Sequence, residues 1–205
     1  MAKKTVITIS RQSGSRGSEI GSKLASALGW EFYDKNILKK AAQESGFCEE
    51  ILESMDERPK SLLFSLVMDP YNIRSFGTTP YDSLEQNAND AIYQSIEKVA
   101  EEGPCVIVGR CADYVLRERE DVLNIFITSP LENRVKHVAD KLDFPEKKAA
   151  DCVRKTDKRR ASYYNYISNH KWGDVNRYDL CIDSSILGVE GTVSLVLEML
   201  KKCNE

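Results

Sequence analysis

A chain of 205 residues gives room for one ordinary domain with a small insert, and it buries enough surface to need no disulfide or metal staple. Hydrophobic residues make up 41% and charged residues 30%, which excludes extended disorder, while the formal charge of −3 excludes a wholly basic nucleic-acid coat. No apolar run approaches the ~18–20 residues that cross a bilayer. The apolar stretch at residues 5–9 is stopped by Arg11, too short for a secretory signal. The six cysteines (48, 105, 111, 152, 181, 203) are scattered without a Cys-x-x-Cys pair, and His137 and His170 lie far apart. Reduced thiols, no zinc site and a cytoplasmic location are the expectation.

In chain order, three short runs rich in β-branched residues stand out at 5–9, 105–108 and 124–128, with a weaker fourth at 180–182. Their uninterrupted apolar character predicts strands buried on both faces, as in a parallel sheet. Ile20, Leu24 and Leu28 recur every four residues and Gly29 is placed to end that helix. Ile37, Leu38, Ala41 and Ala42 mark a second helix ending near Gly46. Leu84, Ala88, Ala91, Ile92, Ile96 and Val99 form a long stripe closed by Gly103-Pro104, and Val193, Val196, Leu197 and Leu200 mark the last helix. Strands alternating with helices predict βαβ units. Residues 69–80, with two prolines and a glycine, read as a loop.

The most informative stretch is Val6-Ile-Thr-Ile-Ser-Arg-Gln-Ser-Gly-Ser-Arg-Gly-Ser-Glu-Ile-Gly21, a buried strand running through a glycine-bearing loop into an amphipathic helix. Gly14 and Gly17 let the backbone approach an anion, and the helix N-terminus adds about half a positive charge. Arg11 and Arg16 add two full ones. Phosphate is the natural guest, although a solvent-facing Gly/Ser turn has the same composition. The loop departs from G-x-x-x-x-G-K-[ST]. The first glycine position falls on Arg11, the lysine position on Gly17, and the magnesium-ligand position is assigned to Glu19, which also suits a helix cap. It does not read G-x-G-x-x-G either, so a dinucleotide site is disfavoured.

Charge is uneven. Residues 134–171 carry eleven Lys or Arg against five Asp or Glu, a balance of +6 in a chain of −3. Such a segment is either a solvated helix laced with ion pairs or a basic lid over a polyphosphate.

Together with three later segments, the loop resembles the cytidylate kinase-like family of P-loop nucleoside monophosphate kinase relatives. The matching pieces are Ile9-Ser-Arg with Gly14-Ser-Arg-Gly-Ser-Glu-Ile-Gly21, then Phe32-Tyr-Asp-Lys35, then Val106-Ile-Val-Gly-Arg110. The fourth is Arg159-Arg-Ala-Ser-Tyr-Tyr164, leading to Trp172-Gly-Asp174, Tyr178-Asp-Leu180 and Leu187-Gly-Val-Glu-Gly191. The resemblance implies an α/β fold, a five-stranded parallel sheet with helices on both faces. It implies one domain over 1–205, with an acceptor-binding insert near 35–86 and a lid near 134–172. The reaction implied is phosphoryl transfer from ATP, with Mg2+, to a nucleoside monophosphate such as CMP or dCMP.

Residue by residue, the resemblance makes Ser13, Gly14, Ser15, Arg16, Gly17 and Ser18 the donor phosphate loop, with Arg11 beside it. Arg110 corresponds to the arginine that meets the acceptor phosphate, and Arg154, Lys158, Arg159 and Arg160 lie where lid cations would close on the transferring group. Asp34 and Lys35 are candidates for the acceptor site, or caps of the next helix. Two departures stand out. No lysine occupies the loop position, so Arg16 is the candidate replacement. The family's aspartate after the arginine is Cys111 here, which leaves Asp113 to reach the same space. Arg74 is a weaker acceptor candidate, and Tyr163, Tyr164 and Tyr166 suit either base stacking or packing of the lid helix. Competing readings are a non-catalytic nucleotide-binding protein and a kinase of another small metabolite; nucleic-acid and membrane partners are disfavoured.

Overall fold

The computed structural model describes residues 2–45 and 80–205. Much of the insert expected at 35–86 lies outside them, including Arg74, Cys48 and nearly all of the loop read at 69–80.

The alternation is as the apolar runs require. Strand β1 (Val6–Arg11) leads into helix α1 (Gly17–Leu28), β2 (Glu31–Tyr33) into α2 (Asn36–Ser45) and α3 (Pro80–Glu102) into β3 (Cys105–Val108). A short α4 (Ala112–Val115), β4 (Val122–Thr128), α5 (Leu131–Leu142), α6 (Glu146–Ser168), β5 (Leu180–Asp183) and α7 (Ser184–Asn204) complete the chain. The five strands form one wholly parallel sheet in the order β2-β3-β1-β4-β5. Among the described residues no helix is long and apolar enough to cross a membrane.

Successive strand residues point to opposite faces, so each apolar run divides between two cores. Val6, Cys105, Ile107 and Val122 face α2 and α3, meeting Ile37, Leu38, Ala88, Ile92 and Ile96. Ile7, Ile9, Val106, Val108, Leu123 and Ile125 face α1 and α7, meeting Ile20, Leu24, Val193, Val196 and Leu200. Each fully buried aliphatic chain contributes about 2 kcal/mol of transfer free energy. Thr8, a buried polar residue of the central strand, is satisfied across the strands: its hydroxyl lies 2.6 Å from Oδ1 of its register partner Asn124.

Because all strands are parallel, the loops after β1, β2, β3 and β4 open on one edge of the sheet, and β1 sits between neighbours whose connections diverge. Ligand crevices of open α/β sheets lie at such an edge. The helical segment 134–171 folds as α5 and α6, packed on each other through Val135, Val138, Ala149 and Val153.

Helix α1 ends where the sequence predicts. Gly29 is left-handed (φ 66°) and its N–H donates to the carbonyls of Ala25 and Ser26. A Cβ there would meet nothing within 4 Å. Gly29→Ala is therefore expected to cost about 1 kcal/mol from backbone strain alone, read as the shift in a urea unfolding curve.

Candidate functional site

The glycine-bearing loop leaves β1 still hydrogen-bonded to the sheet, with Gln12 N–H donating to Ile127 O at 3.0 Å. It then turns on itself: Ser15 Oγ donates to Gln12 O at 2.8 Å, and Ser184 Oγ donates to Ser15 O at 2.8 Å. Gly14 adopts φ 81°, and a Cβ added to it would lie 2.5 Å from the backbone oxygen of Arg134 on α5. Gly17 is similarly pressed, with Arg11 Cβ 2.6 Å from where its own would stand. Both glycines are thus required by close packing of the loop, not only by backbone freedom.

Arg16 ends the loop in a left-handed conformation (φ 61°), an uncommon state for a residue with a Cβ. Its guanidinium grips Glu19 bidentately, Nε to Oε2 at 2.9 Å and Nη2 to Oε1 at 3.0 Å. That hydrogen bond holds the Glu19 carboxyl below the usual carboxylate range. Glu19 is therefore committed to Arg16. Counting G-x-x-x-x-G-K-[ST] from Arg11 also puts its terminal hydroxyl at Ser18, one residue before Glu19, and this corrects the magnesium-ligand expectation.

Ser18 points elsewhere: its hydroxyl is hydrogen-bonded to Oδ2 of Asp34, just beyond β2. The other carboxylate oxygen of Asp34 faces two arginines, Arg110 Nη1 at 3.4 Å and Arg11 Nη2 at 3.8 Å. Three strand ends, those of β1, β2 and β3, thus converge on one carboxylate. Arg110 is 3% exposed, and a guanidinium so far from water needs an anion nearby. The Asp34 carboxylate is turned to Ser18 and the two arginines, while its own N–H donates to Asn36 Oδ1 at 2.7 Å. Lys35 is exposed.

The turn carrying Arg110 is strained. Gly109, Arg110 and Cys111 all have positive φ (85°, 53° and 54°), the last two without the freedom of glycine. Such strain persists where surrounding structure over-determines the backbone, and it clusters at functional sites. Here Cys111 is buried against Tyr163 and Tyr164 of α6. Asp113, 8% exposed, accepts a hydrogen bond from Tyr164 Oη at 2.6 Å. Its carboxylate thus anchors α6 to the turn.

The basic residues of α6 divide. Arg154 and Lys158 are exposed, Arg159 is half-buried, and Arg160 Nη1 donates to Arg11 O at 3.1 Å. Tyr163 Oη donates to Asn89 Oδ1 at 3.2 Å, so Tyr163 and Tyr164 serve packing, while Tyr166 is exposed. Two loop partners lie outside the sequence expectation, Arg134 and Asp157. Arg134 donates to Ser13 O at 3.1 Å, and Ser13 N–H donates to Asp157 Oδ1 at 2.6 Å. Both were hidden by the balance of the segment: one arginine among eleven basic residues and one aspartate among five acidic ones carry no periodic signal.

Beside the loop lies a cavity of about 300 Å³ bounded by Gly14, Arg16, Asn133, His137, Ser185 and Gly188. Partial burial, aided by the Arg16 charge, lowers the His137 pKa below its usual value and so favours the neutral imidazole. Among the described residues no three His, Cys, Asp or Glu side chains assemble a metal cage. Mg2+ in phosphoryl-transfer sites takes most of its ligands from water and substrate phosphates. The Ser18 hydroxyl and the Asp34 carboxylate, already in contact, are a donor pair of the right hardness for it.

The model of the Cytidylate kinase-like family matches residues 6–186. The chain belongs to that family. A cytidylate kinase from Ignicoccus hospitalis is 23% identical over 197 residues, 96% of this chain and 99% of the relative. The solved structure of an uncharacterized protein from Eubacterium ventriosum is 24% identical with a TM-score of 0.72, covering 97% of this chain and 99% of the other. Shikimate kinase from Bacteroides thetaiotaomicron shares the fold at 12% identity and TM-score 0.55, covering 96% and 98%. These likenesses show an α/β fold of the P-loop kinase type.

Two outcomes check this geometry. Gly14→Ala adds a clash with Arg134 to the strain of its left-handed backbone, so it should lose about 2–3 kcal/mol, clearly more than Gly29→Ala. Burial raises the Asp113 pKa, partly opposed by the Tyr164 hydrogen bond. The folded state therefore keeps this proton where the unfolded chain releases it. The stabilisation is full below the ordinary aspartate value of ~4 and is lost as pH rises through the higher native value. Asp113→Asn should flatten that decline in denaturation curves taken between about pH 4 and 8.

Proposed function

We propose that the protein transfers the γ-phosphoryl group of ATP to a nucleoside monophosphate, with CMP or dCMP the favoured acceptor. The observation that carries this reading is the convergence of Arg11, Arg110 and Ser18 on Asp34 beside the loop. The transfer breaks the bond between the γ-phosphorus and the β–γ bridging oxygen and forms one from the γ-phosphorus to an acceptor phosphate oxygen, leaving two diphosphates. The acceptor oxygen is already anionic, so no protein nucleophile or base is required. The work left to the protein is positioning and charge.

Each residue has a part in that work. The loop from Ser13 to Ser18 receives the donor phosphates through its amides, and the adjoining cavity offers polar walls and a neutral His137 to the donor's nucleoside. Arg110, with Arg11 beside it, receives the acceptor phosphate; an incoming phosphate takes over from Asp34 as their counter-charge. Asp34 is then free to join Ser18 in holding Mg2+, which, when bound, neutralises charge on the donor phosphates. Arg154, Lys158, Arg159 and Arg160 form the basic side of the site, with Arg160 nearest the loop.

A second reading has its own observation. Gly17 stands at the lysine position and Arg16 is turned to Glu19, which favours a protein that binds nucleotide without transferring phosphate.

Incubation with ATP, Mg2+ and each of CMP, dCMP, UMP, AMP and GMP separates the two. Acceptor-dependent ADP formation, greatest with CMP or dCMP, is expected; ATP raising the melting temperature without turnover would select the second reading. Arg110→Ala should raise the monophosphate KM about tenfold or more while leaving ATP affinity within about twofold. Equal losses for both ligands would place the acceptor elsewhere.

A further inference from the structure

Asp157 is an acidic residue in the most basic part of the chain, and only 18% of its side chain is exposed. Its carboxylate lies on the phosphate loop. Oδ1 accepts from Ser13 N–H at 2.6 Å and Oδ2 accepts from Arg134 Nη1 at 2.6 Å. Arg134 itself is 7% exposed and is fixed by two further bonds, Nε to Ser129 O at 2.9 Å and Nη1 to Ser13 O at 3.1 Å. A backbone amide of the loop and the guanidinium that α5 seats against it therefore share a single pair of anionic oxygens.

That is the arrangement a phosphoryl group would meet. Carboxylate and phosphate both present paired oxygens to a guanidinium fork, and loop amides at such a turn select anions. The loop has no lysine of its own, and its own arginine, Arg16, is engaged by Glu19. Arg134 is the cation already seated on the loop. A triphosphate arriving with Asp157 still in place would set like charges against each other in a half-buried site. A buried Arg134 without an anion is no better, because an unpaired charge there costs several kcal/mol. One anion must replace the other.

We propose that Asp157 is the loop's internal counter-anion, that donor phosphate exchanges with it, and that Arg134 then supplies the charge a loop lysine supplies elsewhere. The inference rests on the donor site proposed above and deepens it. Arg160, one turn farther along α6, keeps its bond to Arg11 O, so the helix stays tethered while the carboxylate withdraws.

The test is titration of the full chain with inorganic triphosphate by calorimetry, for wild type, Asp157→Asn and Arg134→Met. Asp157→Asn is expected to bind about fivefold more tightly or better, and Arg134→Met about tenfold more weakly. If the wild type binds triphosphate but either variant leaves affinity unchanged or moves it in the opposite direction, the exchange is wrong while the phosphate loop stands. If neither wild type nor Asp157→Asn binds triphosphate, both the exchange and the donor site fall. A measurement on the wild type alone guards against a misfolded variant. Saturating triphosphate should shift the NMR resonances of the Ser13 amide and the Asp157 carboxyl carbon together, and binding that leaves either unmoved overturns the proposal.

Discussion

A guanidinium buried as deeply as that of Arg110 has to be neutralised, and much of the site's arrangement follows from that requirement. The counter-charge, Asp34, comes from a loop 76 residues away in sequence. Only a sheet in which β2 lies next to β3 can bring them together. The same carboxylate collects Arg11 from β1 and the hydroxyl of Ser18 from α1. Charge neutralisation at this edge therefore ties three strand ends to the start of the first helix, and it leaves a cluster whose cations are paired internally until an outside anion competes.

The loop repeats this logic on its other side. Arg134 is paired with Asp157 as Arg110 is with Asp34, so on each side of the loop a buried arginine is held by an aspartate from a different element. Packing makes both pairs dependable. The Arg110 turn bends through consecutive left-handed residues, and burial of Cys111 together with the Asp113–Tyr164 bond keeps it there. Gly14 admits the backbone of α5 closely enough for Arg134 to reach Ser13 O. Helix α6 thus fastens to the loop after β1 through Asp157 and Arg160 and to the turn after β3 through Tyr164. One element touching both holds them in fixed relation, which the proposed transfer requires.

Much of the fold was legible because it rests on local signals. Uninterrupted β-branched runs marked four strands within one or two residues of their ends, and a four-residue apolar period with Gly29 behind it marked α1. The three-residue β2 was visible only as the pair Phe32-Tyr33, too short for periodicity to register. The candidate site was legible in part. Ser13, Gly14, Gly17, Arg11, Asp34 and Arg110 do gather at one edge, because each sits at or just beyond the end of a parallel strand, where topology delivers it. Glu19, a metal-ligand or cap candidate by spacing, pairs with Arg16 three residues back, and Asp113, the resemblance's substitute for the family's aspartate, pairs with Tyr164 across the fold.

By itself, then, the sequence determined the strand–loop–helix order, the glycine-bearing anion loop and the family, because periodicity, turn chemistry and motif spacing are properties of neighbouring residues. It could not determine which charges neutralise one another. Ion pairs at this site join residues 23 and 76 positions apart, and the amide–carboxylate bond of Ser13 to Asp157 spans 144. A basic segment of net +6 looks like a uniform lid until folding buries Arg134, turns Asp157 onto Ser13 and leaves Arg154 and Lys158 in solvent. Burial and contact over long separations decide which of several identical side chains acts, and those belong to the tertiary structure alone.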